Sequence, residues 1–425
     1  MSEREFDVVL FGATGFTGRL VAEYLARRAE NPVRWAIAGR NRKKLEAVKE
    51  VLVALDARLA ELPILIADGH DDAALDALVP KTRVVCTTVG PYGQNGRRLA
   101  SACARHGTHY CDITGEVPFI RASIDDNHAK AVETKARIVH CCGFDSIPSD
   151  LGVHILWDYA KRQGGSLAWA KCFVGEMRGA ASGGTAATML SLIEEATRDP
   201  KVRKLLGNPH ALDPEMPALG PGHARGSRRR PRDPFEADVR GVSFDADIDR
   251  WTAPFVMASI NTRIVRRSSA LLGYGEGFRY REAMSLPKGP KGFIAAALVS
   301  AGTTGFTISA ALPPTRALLA RFVLPKAGEG PSKEARDRGH FTFRLIAEGF
   351  GDGGAALRAT ATVKGTSDPG YGETAKMLGE SALCLAQDAA LLEPRFGVLT
   401  PATAMGMHLV DRLRHAGMTF AVEGG

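Results

Sequence analysis

The sequence has few cysteines, and none lie in a pattern that marks a disulfide framework or a zinc site. The seven cysteines are odd in number, form no Cys-x-x-Cys pair, and lie mostly inside apolar runs. Such spacing indicates buried thiols in a reducing compartment, with no bound metal.

A basic tail and a secretory leader are absent as well. Lys and Arg number 55 against 47 Asp and Glu, a formal charge of +8, and these charges are scattered along the 425 residues. This balance favours an anionic small ligand or a membrane surface over nucleic acid. The first residues, MSEREFD, carry both signs of charge and no apolar segment. We therefore expect a cytoplasmic protein, with peripheral contact to the inner face of the plasma membrane left open.

Short apolar runs alternate with longer segments of helical periodicity over the first 150 residues. Buried strands are predicted at residues 8–11, 35–38, 62–67, 84–88, 108–112 and 138–142. This alternation predicts an α/β fold with a parallel, doubly wound sheet of the Rossmann type. The chain is long enough for a second core, so two domains are expected.

Beyond residue 150 the pattern changes. A Pro- and Arg-rich segment at 198–234 predicts a loop or lid, and the runs VSFDADI, FVMASINTRIV, FTFRLIAEGF and LRATATVKG alternate like antiparallel strands. The pattern indicates a second α+β domain with a one-sided sheet. Near the end, Thr400 before Pro401 predicts the start of an amphipathic helix.

The stretch FGATGFTGRL follows the first predicted strand and opens a helix. Its glycines, Gly12, Gly15 and Gly18, allow a tight turn, a close approach to a pyrophosphate and close helix packing. A plain glycine-rich turn is the alternative. The same stretch adds three predicted cofactor contacts, Thr14, Phe16 and Thr17.

The next predicted strand ends in AGRN, which decides the choice of cofactor. Arg40 stands where an acidic residue would otherwise hold a ribose 2′-hydroxyl. With Asn41 and Lys43 nearby, it suits a 2′-phosphate. NADP (as NADPH) is therefore predicted over NAD, with a solvated loop cation as the alternative for Arg40.

Later strand ends carry further candidate residues. The run VVCTTVGPYGQNG ends the fourth strand, where an open α/β sheet keeps its ligand crevice. The predicted cofactor contacts at strand ends are Asp68, Val89, Gly90, Pro91 and Asp112. The runs HYCDITGE and HCCGFDSIPSDLG add Thr114, Glu116, Asp145, Ser146 and Asp150, each of which could instead be a local cap. No Tyr-x-x-x-Lys pair follows the fourth strand, so the acid of short-chain dehydrogenases is missing.

Motifs along nearly the whole chain carry a family resemblance. They are GATGFTG, AGRN, VGPYGQNG, HYCDITGE, GFDSIPSD, SGGT, APFVMASINTRIVRRS and GVLTPATAMG. The set resembles the saccharopine dehydrogenase-like oxidoreductases, and within them the trans-acting enoyl reductases. The resemblance implies an NADP-binding Rossmann domain at 1–150 and an inserted α+β domain for substrate and dimerisation at 151–385. It also implies C-terminal helices at 386–425 that return to the first domain.

The activity implied by the resemblance is NADPH-dependent reduction of a carbon–carbon double bond on a lipid- or polyketide-linked enoyl group. An acyl carrier or polyketide synthase would be a partner, and a homodimer is compatible. Two alternatives stay open. One is a saccharopine-type imine reductase, which needs an arginine pair from Arg263, Arg266 and Arg267 at the substrate carboxylates. The other is a non-catalytic NADP-binding protein on lipid surfaces.

Hydride delivery to an enoyl thioester leaves an enolate, so the site needs donors near the thioester oxygen and a proton for the α-carbon. Tyr92 is the first candidate donor, and Asp145 and Ser146 follow as orienting groups or proton relay. Backbone N–H groups of residues 182–185 could bind an anionic head group. His109 and His140 lie in strand-like runs and are predicted core residues.

One segment is unusual for a soluble enzyme. Residues 293–312 carry no charge, and a helix with basic residues follows, so that an apolar helical region is predicted at 293–325. The length would span a bilayer, but Thr, Ser, Ala and Gly make it only mildly apolar. A buried helix is expected first, contact with a membrane surface second, and a true span last.

Overall fold

The computed structural model describes residues 4–28, 33–179, 183–214, 233–322 and 330–424. The strands are β1 (Phe6–Phe11), β2 (Trp35–Gly39), β3 (Ile64–Ile66), β4 (Thr82–Thr87), β5 (His109–Cys111), β6 (Arg137–Val139), β7 (Ser166–Arg178), β8 (Ser243–Asp245), β9 (Arg250–Ala253), β10 (Arg279–Leu286), β11 (His340–Phe350), β12 (Ala356–Gly365), β13 (Gly397–Leu399) and β14 (Thr419–Gly424).

The α-helices are α1 (Phe16–Arg27), α2 (Arg42–Leu55), α3 (Asp72–Leu78), α4 (Tyr92–Asn95), α5 (Arg97–His106), α6 (Val117–Glu133), α7 (Ile147–Arg162), α8 (Gly183–Arg198), α9 (Pro200–Leu206), α10 (Ala258–Leu272), α11 (Pro290–Ala311), α12 (Pro313–Phe322), α13 (Lys333–Asp337), α14 (Thr374–Gln387), α15 (Pro401–Ala404) and α16 (Gly406–His415).

The first sheet is parallel, with the strand order β13-β6-β5-β4-β1-β2-β3. Strands β1 to β6 coincide with the six predicted apolar runs, so the Rossmann-type sheet is confirmed. Alternate residues of β1 enter two different cores: Val8 and Leu10 face one, and Val9 and Phe11 face the other. Both faces are therefore covered, as a doubly wound sheet requires.

The chain returns to this sheet after the second domain. Helix α14 packs on α1 and on the neighbouring strands, and β13 pairs in parallel with β6 at the edge. The return thus begins at α14, earlier than the expected residue 386. The last strand, β14, was not expected, and it pairs with β12 of the second sheet.

The second sheet is mixed, with the order β14-β12-β11-β7-β10-β9-β8. One face packs on α7 and α10. Along β12, buried Leu357 and Val363 alternate with exposed Arg358 and Lys364, because successive side chains point to opposite faces. The expectation of a one-sided sheet is confirmed, and three of its four predicted strand runs are strands.

The fourth run, FVMASINTRIV, is not a strand. It leads into α10, whose residues 260–268 are all buried. Its β-branched residues, such as Ile260, Ile264 and Val265, favour strands, but here they fill a helix that is covered on all sides. These apolar residues recur at helical spacing, so the strand prediction followed residue type where the period indicated a helix.

The Pro- and Arg-rich segment is partly helical. Asp199 caps α9 by accepting from the Lys201 N–H, so the expectation of a loop throughout 198–234 is wrong at 200–206. Residues 215–232, with the Arg-rich run, lie outside the described residues. The predicted cap at Thr400 is confirmed, although Gly406, at φ +51°, divides the helix into α15 and α16.

The uncharged segment forms α11 and is not buried. Only 11% of its most apolar 18-residue window is buried inside the protein, and the rest is partly or fully exposed. The first expectation for residues 293–312, a buried core helix, is therefore wrong.

Candidate active site

The glycine loop joins β1 to α1 through backbone contacts. Gly12 has φ +98°, and its carbonyl oxygen accepts from the Gly15 N–H at 3.1 Å. A Cβ on Gly18 would lie 2.2 Å from that oxygen, so α1 can pack on the turn only without a side chain there. Gly15 begins the helix with no side-chain cap and with no acidic residue in the first turn. The first N–H groups of α1 are thus open to an anion.

Thr88, which the sequence reasoning missed, holds this loop from the neighbouring strand. Its hydroxyl donates to the Gly12 carbonyl at 3.2 Å, and its N–H donates to the Phe11 carbonyl at 3.1 Å. The run VVCTTVGPYGQNG contains Thr88 directly before the predicted cofactor contacts. The parallel pairing of β1 with β4 would have shown its role.

Arg40 lies at the end of β2, exposed to solvent. No hydrogen bond or ion pair joins its guanidinium to another described residue. Asn41 caps α2, because its Oδ1 accepts from the Lys44 N–H at 3.0 Å. Asp68 turns the loop after β3 by accepting from the His70 N–H. Arg40 is therefore free for a 2′-phosphate, whereas Asn41 and Asp68 already have local structural roles.

The edge formed by these loops fits a dinucleotide. The hydroxyls of Thr14 and Thr17 bond to no described residue. Phe16 packs edge-on against Tyr371 at 4.7 Å between ring centroids, which fixes the start of α1. Predicted contacts that stand along the carboxyl edge of the sheet are Gly12, Thr14, Gly15, Thr17, Gly18, Arg40, Val89, Gly90 and Pro91.

The Tyr92 hydroxyl points into the protein. It donates to the Thr87 carbonyl at 3.2 Å and accepts from the Ile113 N–H at 3.4 Å. Burial raises the pKa of the phenol well above its ordinary value. Glu116 anchors the same turn by accepting from the N–H groups of Tyr92 and Gly93 at 2.7 and 2.8 Å. The hydroxyl is committed to the backbone, so the geometry supports a positioning role for Tyr92 and not the expected proton donation.

Asp112 is fully buried, and its carboxylate is occupied by protein groups. Oδ2 accepts from the Tyr110 hydroxyl at 2.9 Å and lies 2.8 Å from the His140 ring. Oδ1 accepts from the N–H groups of Thr114 and Cys141. These bonds leave no oxygen aimed at the crevice, so the expected cofactor contact at Asp112 is not supported. His140 itself is a satisfied core residue, as predicted.

His109 is a core residue too. Its Nδ1 accepts from the Arg137 N–H at 3.1 Å, and burial lowers the pKa of the ring to about 3. It is therefore neutral at physiological pH.

Ser146 faces the second domain. Its hydroxyl donates to Asn261 Oδ1 at 3.0 Å, and the Asn261 amide donates to Glu282 at 2.7 Å. Burial raises the pKa of Glu282 to about 7. The network joins α7, α10 and β10 inside the protein. Ser146 is thus placed in a structural contact and not in the expected proton relay.

Asp150 is another fully buried carboxylate that joins elements. Oδ1 accepts from the Ser268 hydroxyl of α10, and Oδ2 accepts from the Ala402 N–H of α15 at 2.8 Å. Burial raises the pKa of the carboxyl to about 7. It holds the returning C-terminal segment and does not face the crevice.

Asp145 differs from its neighbours. It is the one residue between 136 and 156 that is not fully buried. No hydrogen bond or ion pair joins its carboxylate to another described residue, and burial raises its pKa to about 7. A Cβ on Gly115 would lie 3.4 Å from Oδ2 and 3.9 Å from Met257 Cε. The Asp145 side chain therefore lies at the edge of the first sheet that the carboxyl ends of its strands form, where the two domains meet.

The turn that carries Asp145 is held on both sides. The Phe144 N–H donates to the Thr374 hydroxyl at 3.2 Å, and the Phe144 ring packs edge-on against Phe341 and Phe343. This packing fixes the backbone of the turn directly before Asp145. Asp145 thus lies on the same edge as Gly15, whereas Tyr92, Asp112 and Ser146, which were expected to line one crevice with it, bond to groups inside the protein.

The three arginines of α10 are all bound inside the protein. Arg263 bonds Asp238 and the Leu206 carbonyl, and Arg266 bonds the carbonyls of Pro209, Glu236 and Tyr280. Arg267 joins the Leu212 and Val398 carbonyls at 2.7 Å each. None of them is available to a substrate carboxylate. Of the SGGT motif, Ser182 lies outside the described residues, and Gly183 begins α8.

Comparison with known proteins identifies the family. Residues 8–139 match the saccharopine dehydrogenase NADP binding domain. A Mycobacterium tuberculosis protein, provisionally named a trans-acting enoyl reductase, is 44% identical to this chain. The match covers 98% of this chain and 97% of that protein. The chain belongs to the trans-acting enoyl reductase family. The trans-acting enoyl reductase of Mycobacterium ulcerans is 41% identical over the same shares.

The fold agrees with this assignment. Saccharopine dehydrogenase from Saccharomyces cerevisiae superimposes with a TM-score of 0.54 at 14% identity, over 98% of this chain and 99% of that one. Together with the NADP-binding domain, the family makes this reductase an NADP-dependent oxidoreductase. The residues of the glycine loop and Arg40 fit that cofactor.

Proposed function

We propose that this protein reduces the carbon–carbon double bond of an enoyl group carried on a lipid- or polyketide-type chain, with NADPH as the reductant. The observation that carries the proposal is Asp145, whose carboxyl bonds to no other described residue, lies beside Gly115 and has its pKa raised by burial to about 7. It is available as an acid at neutral pH, close to the operating pH that general acid catalysis favours.

The reduction needs a hydride and a proton. The glycine loop and Arg40 would hold NADPH, which would supply the hydride for the β-carbon of the enoyl thioester. The electron pair of the double bond then moves towards the thioester carbonyl, and the α-carbon takes its proton from the Asp145 carboxyl. Asp145 is left ionised and regains its proton from solvent, to which the residue is partly exposed.

The substrate would enter where the two domains meet. The Asp145 carboxyl and Met257, just before α10 of the second domain, both lie close to Gly115 of the first domain. A methionine side chain and a glycine backbone offer an apolar, adaptable surface to an acyl chain. The relatives are named trans-acting enoyl reductases. A carrier-bound thioester, handed over by an acyl carrier or polyketide synthase of lipid biosynthesis, is therefore the proposed substrate form.

An imine reductase of the saccharopine type is less well supported. That reaction would need exposed arginines for the substrate carboxylates, and Arg263, Arg266 and Arg267 are bound to carbonyls and Asp238. A non-catalytic NADP-binding protein would have no use for an unpaired, partly buried carboxyl, which costs stability when it is ionised.

The test uses the purified protein with NADPH and a trans-2-enoyl thioester, offered on coenzyme A and on an acyl carrier. We expect thioester-dependent oxidation of NADPH and a saturated product, with no turnover of an α-keto acid and an amine. Turnover of the keto acid and amine alone would assign the imine reaction. Tight NADPH binding without oxidation by either substrate would leave only the non-catalytic function.

A further inference from the structure

Helices α11 and α12, together called the α11–α12 hairpin (residues 290–322), present an unusual apolar surface. Of the fifteen exposed large hydrophobic residues in the described part of the chain, six belong to the hairpin. They are Phe293, Ile294, Leu298, Ile308, Leu312 and Leu318. Contiguous apolar surface of this kind marks an interaction site on a soluble protein.

The threonine hydroxyls of α11 already have hydrogen-bond partners within the helix. The hydroxyls of Thr303, Thr304 and Thr307 each donate to the carbonyl four residues earlier, at 2.8 to 2.9 Å. A hydroxyl that is bonded within its own helix adds no unsatisfied donor when the helix leaves water. The threonines therefore do not oppose contact with hydrocarbon.

The charged side chains of the hairpin, and of the residues just before it, are all basic. From residue 286 to residue 322 the sequence has no Asp or Glu, and its charged residues are Lys288, Lys291, Arg316 and Arg321. Lys288 pairs with Asp249, and Arg316 contacts Glu194 of α8 at 3.5 Å. Lys291 is exposed and bonds to no described residue. The border of the apolar surface thus complements an anionic surface.

The connections of the hairpin exclude a true span. Helix α11 is about 33 Å long, enough to cross a bilayer, but β10 before it and β11 after it flank β7 in one sheet. Arg316, just beyond the end of α11, also contacts α8 of the same domain. Both ends of the hairpin therefore stay on one side of any membrane.

We propose that the α11–α12 hairpin docks this reductase on the surface of an anionic lipid bilayer, with its apolar side chains among the acyl chains and its cations at the headgroups. An apolar helix with basic neighbours is the form that interfacial helices take. The proposal goes beyond the proposed function, because it assigns a docking surface and no step of the reaction. Docking would place the junction of the two domains near acyl chains that are dissolved in a membrane or attached to its surface.

The experiment is flotation of the full chain with vesicles of phosphatidylcholine alone or with added phosphatidylglycerol. The wild type should float with the anionic vesicles, more weakly with neutral ones, and less at high salt. Leu298→Asp should reduce the bound fraction by about tenfold or more. Leu391→Asp is the matched control, since both leucines are 68% exposed, and it should float like the wild type.

The charge is tested in the same way. Lys291→Glu should weaken binding to anionic vesicles by about fivefold or more, whereas Lys81→Glu, at another exposed position, should not. NADPH affinity, measured in parallel, should be unchanged in all four variants, which separates this proposal from the cofactor site.

Three results would overturn the proposal. In the first, the wild type does not float with anionic vesicles. In the second, Leu391→Asp loses binding as completely as Leu298→Asp. In the third, the wild type is a dimer without lipid and Leu298→Asp is a monomer, which would assign the hairpin to a second copy of this chain.

Discussion

At the scale of single residues, the account depends most on Asp145. Its folded pKa of about 7 lies above the ordinary value of 3.8, so the acid form is present below pH 7 and is lost as pH rises through it. We expect kcat/KM to fall above pH 7 by about tenfold per unit. Asp145→Asn should remove this descent and lower kcat by about 10²- to 10⁴-fold, with the NADPH dissociation constant unchanged.

Two other carboxyls require a parallel measurement. Burial raises the pKa values of Asp150 and Glu282 to about 7 as well. For each of them, the folded state keeps a proton that the unfolded state releases, so stability falls as pH rises from about 4 to 7. A melting curve at each pH separates this loss of stability from the titration of the site. Identical pH profiles for the wild type and Asp145→Asn would contradict the assignment of Asp145.

Arg40 tests the choice of cofactor. Arg40→Asp removes a charged hydrogen bond to the 2′-phosphate and adds a repulsion, so NADPH binding should weaken by about 1.5 to 3 kcal/mol or more. NADH binding should change little. Lys81→Asp, which makes the same charge change beside the amino end of β4, is the control. Equal affinity of the native protein for NADPH and NADH, by titration calorimetry, would remove the argument.

The sequence located the candidate residues but not the directions of their side chains. The strand ends predicted one edge for Asp112, Asp145 and Ser146, and all three lie there. Asp112 and Ser146 bond to groups inside the protein, whereas the Asp145 carboxylate bonds to no other described residue. The direction of a side chain depends on the tertiary fold and is not visible in residue type or period, so these side chains looked alike in the sequence.

At the scale of elements, two substitutions in the glycine loop distinguish an effect on cofactor binding from an effect on folding. Gly18→Ala should lower stability and NADPH affinity together, because its Cβ would lie 2.2 Å from a backbone oxygen. Gly15→Ala meets nothing closer than 3.5 Å and has φ −75°, so it should fold normally. Its methyl group would still project at the anion site of α1, and NADPH should bind more weakly.

Thermal melting and NADPH titration of both glycine variants check this contrast. The wild type supplies the reference for each. If Gly15→Ala binds NADPH as tightly as the wild type, the cofactor does not approach the start of α1, and the assignment of the loop fails.

Elements differed in how well the sequence predicted them. The six strands of the first sheet followed from apolar runs because a parallel sheet buries both faces of each strand. Helix α10 did not, because it is buried on every side and its arginines bond to carbonyls inside the protein. Helix α11 was predicted as a helix, but its exposure depends on what the rest of the chain leaves uncovered.

At the scale of the whole molecule, the position of the site depends on the C-terminal segment, which returns to the first domain. Arg267 joins α10 to the Val398 carbonyl of β13, and Asp150 joins α7 to α15. The second domain is thereby held against the first, with Asp145 at the junction. Contacts between residues separated by more than a hundred positions cannot be derived from local patterns, and only the family resemblance implied the return.

The most direct measurement of the central claim follows the two hydrogens that enter the substrate. The protein would be given an enoyl thioester with NADPH deuterated at C4 in ordinary water, and with unlabelled NADPH in deuterated water. We predict one deuterium on the β-carbon of the saturated product in the first case and one on the α-carbon in the second. A product without cofactor-derived deuterium on the β-carbon, or no saturated product at all, would contradict the account.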